Sequence, residues 1–77
     1  MTAPIRLAAM KPGARGTIIG FSEHPLTNRL MEMGMTLGTE IEIAHEAPFG
    51  GAIAVRCRGT LIALRLTDAQ IIEVSPL

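Results

Sequence analysis

The sequence predicts an all-β fold with a short helix: a small, partly open barrel of about five strands, the helix inserted between strands one and two. Three observations carry that prediction. Short runs rich in Ile, Val and Thr alternate apolar with polar residues between glycines, the pattern of half-buried strands. One stretch, Leu26 to Met33, breaks the alternation with helical spacing. The chain of 77 residues reads as one domain, 1–77, and a domain this small buries only about 60% of its unfolded surface. Rolling the sheet into a barrel hides edges that so short a chain has little else to cover.

Ile5, Leu7 and Met10 are apolar anchors ahead of Lys11-Pro12-Gly13. Pro-Gly signals a type II turn, Pro fixing φ at the first central position and Gly supplying a positive φ at the second. Gly16 to Phe21 reads as the first strand, and its glycines signal bulges or close approaches. Pro25 suits a first helical turn. Leu26, Leu30 and Met33 then share one helix face, with Asn28, Arg29 and Glu32 opposite. Gly34 is placed to stop the helix in a left-handed conformation, and Met35-Thr36-Leu37-Gly38 turns into a second strand, Thr39 to Ala44. Ala47-Pro48-Phe49-Gly50-Gly51 is a loop. The third strand, Ala52 to Arg58, turns Ile53, Val55 and Cys57 to the core. Gly59 breaks it at a tight hairpin, and Thr60 to Arg65 returns as the fourth. Thr67 to Gln70 reads as one helical turn with Thr67 as N-cap, and Ile71 to Val74 closes the set as the fifth strand. Gly13, Gly34, Gly38 and Gly59 carry structural roles at these turns. The order suits a barrel of the SH3-like kind.

Charge excludes several functions. Seven basic residues balance seven acidic ones, whereas a nucleic-acid footprint or a polybasic membrane patch needs a clustered positive excess. No apolar run reaches the roughly 20 residues of a membrane span. Neither nucleic-acid binding nor direct membrane insertion is expected. The start of the sequence lacks the apolar core of a signal peptide, and one cysteine makes no internal disulfide; a cytoplasmic location is expected. No Ser/His/Asp spacing, phosphate-binding glycine loop or paired carboxylates are present. The sequence therefore predicts no enzyme and no cofactor. A groove for proline motifs would need aromatic walls, and Phe21 and Phe49 are the only aromatics.

The candidate contact residues cluster around the helix exit. Arg29, on the polar helix face, is available to an acidic partner; the plainer reading pairs it with Glu32 one turn on. Arg65 is expected to brace Asp68 or nearby backbone carbonyls. Met31, Met33 and Met35 stand at a spacing of two, so a helix cannot turn all three inward. Met33 is assigned to the core; Met31 and Met35 are assigned to an adaptable thioether surface that Leu37 and Phe49 extend. An exposed Met-rich corner, or an open barrel edge, also suits self-association. His24 and His45 are the only histidines, and neither they nor Cys57 stand in a metal-ligand pair. No dedicated metal site is expected; Glu23-His24 and His45-Glu46 are where an adventitious ion would lodge.

The motifs together resemble the FeoA family of ferrous-iron-transport accessory proteins. The resemblance rests on Leu7-x-x-Met10-Lys11-Pro12-Gly13, on Arg29-Leu30-x-x-Met33-Gly34-Met35-Thr36-Leu37-Gly38 and on Ala47-Pro48-Phe49-Gly50-Gly51. Arg58-Gly59 and Leu64-Arg65-x-x-Asp68-Ala69-x-Ile71 complete it. Gly51 stands where the family commonly has an acidic residue, and Asp68 where Glu is usual. The resemblance implies an SH3-like barrel, found also at the C-terminus of DtxR-like repressors. It further implies a regulatory role on FeoB, the membrane transporter with a cytoplasmic GTPase domain, peripheral to the inner membrane through that partner. Arg29, Met31, Met35, Leu37, Pro48 and Phe49 are the expected docking residues. The alternative is a metal-sensing or metal-delivering domain that binds a divalent transition metal through its histidines and carboxylates.

Overall fold

A computed structural model describes residues 3–77. Six strands form one antiparallel sheet: β1 (Ile5–Arg6), β2 (Arg15–Phe21), β3 (Glu40–Glu46), β4 (Ala52–Cys57), β5 (Thr60–Arg65) and β6 (Ile72–Pro76). Their order in the sheet is β1-β6-β2-β3-β4-β5. Helix α1 (Thr27–Glu32) joins β2 to β3, and the single turn α2 (Leu66–Ala69) joins β5 to β6. A 3₁₀ turn, Leu7–Ala9, follows β1. The sheet curls around one apolar core but does not close, because β1 and β5, at its two ends, are not paired.

Alternation explains which side chains fill that core. Ile41 and Ile43 of β3, Ile53, Val55 and Cys57 of β4, Ile62 and Leu64 of β5, and Ile72 and Val74 of β6 are buried at every second position. Leu7 and Met10 seal one end from the 3₁₀ turn. The glycine signals in β2 have two separate causes. At Gly16 an added Cβ would overlap Val74 Cγ1 and lie 2.9 Å from the Ser75 carbonyl oxygen, so β6 crosses too close for a side chain. Between Ile18 and Gly20 the β2–β6 register slips by one residue, a bulge, and Ile19, next to the buried Ile18, points outward.

The turns also follow their residues. Ala14 N–H donates to the Lys11 carbonyl at 3.0 Å around Pro12-Gly13, with Gly13 at φ +88°. Arg58 (φ +52°) and Gly59 (φ +78°) are the two central residues of the β4–β5 hairpin, the two positive values of a type I′ turn. That turn ends β4 at Cys57, one residue earlier than the sequence predicts. Two further expectations are corrected. β1 raises the strand count from five to six; its two residues are too few to display a period. Thr67 is not an N-cap: β5 runs directly into α2, Arg65 is the capping residue in extended conformation, and no side chain caps the turn. The Leu66 N–H is taken instead by the Gly51 carbonyl at 3.1 Å, which starts the helix before Thr67.

Candidate functional site

The corner between α1 and β3 is built by one C-cap. Gly34 takes φ +101°. Its N–H donates to the Met31 carbonyl at 3.0 Å, and the Met35 N–H reaches back to the Leu30 carbonyl at 3.1 Å. These two bonds define a Schellman motif, in which the residue after the glycine packs against the helix residue five before it. Met35 and Leu30 are accordingly both buried. The assignment of the methionines is therefore corrected: Met35 is 0% exposed and Met33 is 42% exposed, the reverse of the expectation. Met33 does keep to the helix face of Leu26 and Leu30, as its spacing predicts, but there that face borders an open groove toward β5. The reversal at Gly34 sends the next side chain inward. The signal was present in the sequence as Leu30-x-x-x-Gly34-Met35, but a search for periodicity alone passes over it.

The turn that follows is braced from both sides. Gly38 N–H donates to the Ile18 carbonyl at 2.7 Å, tying the turn to β2. The Thr36 and Thr39 hydroxyls share a hydrogen bond of 2.9 Å, and the Arg58 guanidinium reaches each of them at 3.5 Å. Cys57 Sγ lies 3.5 Å from the Gly34 carbonyl oxygen. Burial pushes the Cys57 thiol up, against a smaller opposing pull from Arg58, so the thiol stays protonated and unreactive at neutral pH. Arg58 acts as a brace that sequence reading did not identify.

Two flanks of α1 remain open to solvent. On the β2 side, Ile19, Phe21, His24, Thr27, Met31 and Leu37 line a shallow apolar groove of about 400 Å³. Leu37 is 60% exposed and Ile19 is 45% exposed. On the β5 side, Leu26, Arg29, Leu30 and Met33 face Ala63, Leu64, Arg65 and Asp68 across a narrower groove of about 220 Å³. Neither expected ion pair forms: among the described residues the pairs within 4.0 Å are Arg15–Glu40 and Arg56–Glu42, not Arg29–Glu32 or Arg65–Asp68. Pro48 and Phe49 stand apart, at the tip of the β3–β4 loop, and Phe49 is 100% exposed. The structure thus brings Met31 and Leu37 together, places Arg29 on the opposite flank, and puts Phe49 in neither groove.

The FeoA domain family matches residues 5–76, nearly the whole chain. The chain belongs to the FeoA family. No curated protein matches. Among solved structures, a FeoA-like protein from Clostridium acetobutylicum is 36% identical, with a TM-score of 0.91 over 100% of this chain and 91% of that one. A zinc-complexed FeoA from Stenotrophomonas maltophilia, described as an SH3 domain protein, is 24% identical at a TM-score of 0.81, covering 92% of this chain and 89% of that one. A manganese-dependent transcriptional repressor is 23% identical at a TM-score of 0.88, covering 100% of this chain and 44% of that protein. The last two establish likeness of fold. The SH3-like expectation holds, and with it the tie to iron uptake that the family carries.

In this FeoA chain the four candidate metal residues do not converge. Among the described residues no three His, Cys, Asp or Glu side chains are grouped to hold an ion. His24 already uses Nδ1 to accept the Leu26 N–H at 3.1 Å, capping the approach to α1. Glu23 is exposed beside it, and His45 and Glu46 are exposed at the end of β3. No helix among the described residues is long and apolar enough to cross a membrane.

Proposed function

We propose that this FeoA protein is a non-catalytic accessory factor of ferrous iron uptake that docks on FeoB and modulates its GTPase or transport cycle from the cytoplasmic side. The observation that carries the reading is the apolar groove of Ile19, Met31 and Leu37, held on a braced corner. Exposed apolar surface on a small domain marks contact sites, and a thioether adapts to an irregular partner surface. A corner already fixed by its own hydrogen bonds loses little conformational entropy on docking. Arg29 would supply a charged contact at one margin, and Pro48 and Phe49 a second point of attachment. Met35, fully buried in the core, makes no contact itself. Docking would act by binding one conformation of the transporter better than another, which shifts the population toward it.

The test is binding to detergent-solubilised FeoB from the same cell, in GDP and in a non-hydrolysable GTP analogue. Met31→Asp and Leu37→Asp each place a charge in the groove and are expected to weaken binding about tenfold or more, with thermal melts unchanged. Preference for one nucleotide state would mark a regulator of the GTPase cycle. Equal binding by wild type and both variants would remove the corner as the interface.

A further inference from the structure

The groove on the β5 flank has a property that the apolar groove lacks: one wall is an unpaired strand edge. β5 is the last strand of the sheet and bonds only to β4. The Leu66 N–H donates to the Gly51 carbonyl, and the register pairs Thr60 with Cys57, Ile62 with Val55 and Leu64 with Ile53. In an antiparallel ladder hydrogen-bonded pairs alternate with non-bonded ones. The even-numbered residues of β5 therefore bond to β4, and Leu61, Ala63 and Arg65 aim their backbone groups outward. The Arg65 carbonyl is turned into the start of α2, which leaves the N–H and C=O of Leu61 and Ala63 and the N–H of Arg65. Among the described residues none of these groups has a partner outside the β4–β5 ladder and α2. Ala63, Leu64 and Arg65 line the groove consecutively. Side chains of a strand alternate between faces, so three residues in a row reach one groove only through the backbone edge.

Helix α1 forms the opposite wall and stands off from that edge instead of covering it, with Leu26, Leu30 and Met33 supplying apolar surface. At about 220 Å³ the space falls below the roughly 300–1,000 Å³ of small-molecule sites and suits one or two side chains of a chain lying along the edge. Two guanidinium groups, Arg29 and Arg65, flank it against a single carboxylate, Asp68. Among the described residues neither arginine is engaged in an ion pair.

We infer that this groove is a strand-addition site for an extended peptide segment carrying an acidic side chain. The segment's backbone would continue the sheet beyond β5, one apolar side chain would seat between Met33 and Ala63, and its carboxylate would meet Arg29 and Arg65. Main-chain bonds supply affinity in such a mode, and alternate side chains supply specificity. The inference rests on a different groove from the one proposed for FeoB docking, on the other flank of α1, and the two share only Arg29.

The experiment uses the isotope-labelled full chain and a blocked heptapeptide alternating valine and glutamate, added to millimolar concentration. Binding is expected to slow hydrogen exchange at the Leu61, Ala63 and Arg65 amides. The matching valine–lysine peptide should bind about tenfold more weakly at low salt, the scale of one charge-assisted hydrogen bond. The double variant Arg29→Glu, Arg65→Glu should reverse that preference. Because an added strand pairs through alternate residues, N-methylation of one alternate set in the peptide should abolish binding, while N-methylation of the complementary set leaves it intact. That comparison leaves the protein unaltered, so misfolding cannot imitate it. Four results would each overturn the inference: no binding, equal loss with both methylated peptides, protection mapped to Ile19 and Leu37, or protection that grows with protein concentration alone and so reports a second copy on the edge.

Discussion

Two turns of this domain hold apolar side chains out to solvent, and they are built in opposite ways. The Gly34–Thr39 turn presents Leu37 and is fixed by the helix cap, by the bond to Ile18, by the Thr36–Thr39 pair and by Arg58 from the neighbouring hairpin. The Ala47–Gly51 loop presents Phe49 and is held by main-chain bonds alone, Gly50 to Ala47 and Ala47 to Ala52, both 2.9 Å, and Leu66 to Gly51 at its far end, 3.1 Å. A side chain on the first turn meets a partner with its position already set. One on the second must be ordered at the moment of contact, which costs about 0.5–1.5 kcal/mol per immobilised side chain. The comparison teaches that exposure alone does not rank contact residues; what stands beneath them does.

Three measurements break or sharpen that contrast. The largest effect is expected from truncating the apolar residue of each turn. Met35→Ala removes a buried side chain and should cost about 2–5 kcal/mol of unfolding free energy. Phe49→Ala, with nothing packed on it, should stay within about 0.5 kcal/mol of wild type in the same denaturant titration. Next come the glycines. Gly34→Ala forces a side chain onto φ +101° at the point that steers Met35 inward, for a loss of about 2–3 kcal/mol. Gly50→Ala at φ +76° meets no atom within 4 Å and should lose about 1 kcal/mol, the backbone cost alone. Equal losses would mean that the Gly34 cap is not coupled to the core. The smallest effect tests the brace. Arg58→Asn gives up two 3.5 Å hydrogen bonds, weak at that length, and gains the residue preferred at the first position of a type I′ turn. A net stabilisation of about 0.5 kcal/mol is expected, read as a raised thermal midpoint. A net loss would show that the brace outweighs the turn.

The parts of the fold that repeat were readable in advance. Strand alternation located Ile41, Ile43 and the Ile53, Val55, Cys57 face, and the glycine positions located the turns. Features that depend on a partner distant in sequence were not. β1 exists because β6 lies beside it, and the unpaired edge of β5 is a consequence of sheet order that no local pattern records. The site divides the same way. Met31 and Leu37 were identified from exposure arguments, and both are exposed. Met33 and Met35 were interchanged because helical spacing does not record the reversal at Gly34 that turns Met35 inward. Ile19 was missed although plain alternation from the buried Ile18 already turns it outward. Arg58 was read only as the last residue of the third strand, since its contacts to Thr36 and Thr39 span about twenty residues of sequence.

The position of β6 governs how this domain comes into being. The strand that comes last in sequence lies in the interior of the sheet, between β1 and β2, so β1 has no partner, and β2 none on that side, until β6 is in place. Until then Val74 and Ile72 are missing from the core, and β2 offers one side to any passing strand. Such non-local pairing places folding toward the slower, millisecond-to-second end for small domains. A domain lacking those five residues is accordingly expected to leave one side of β2 open and its core unfilled, and so to be cut by proteases faster than the intact fold.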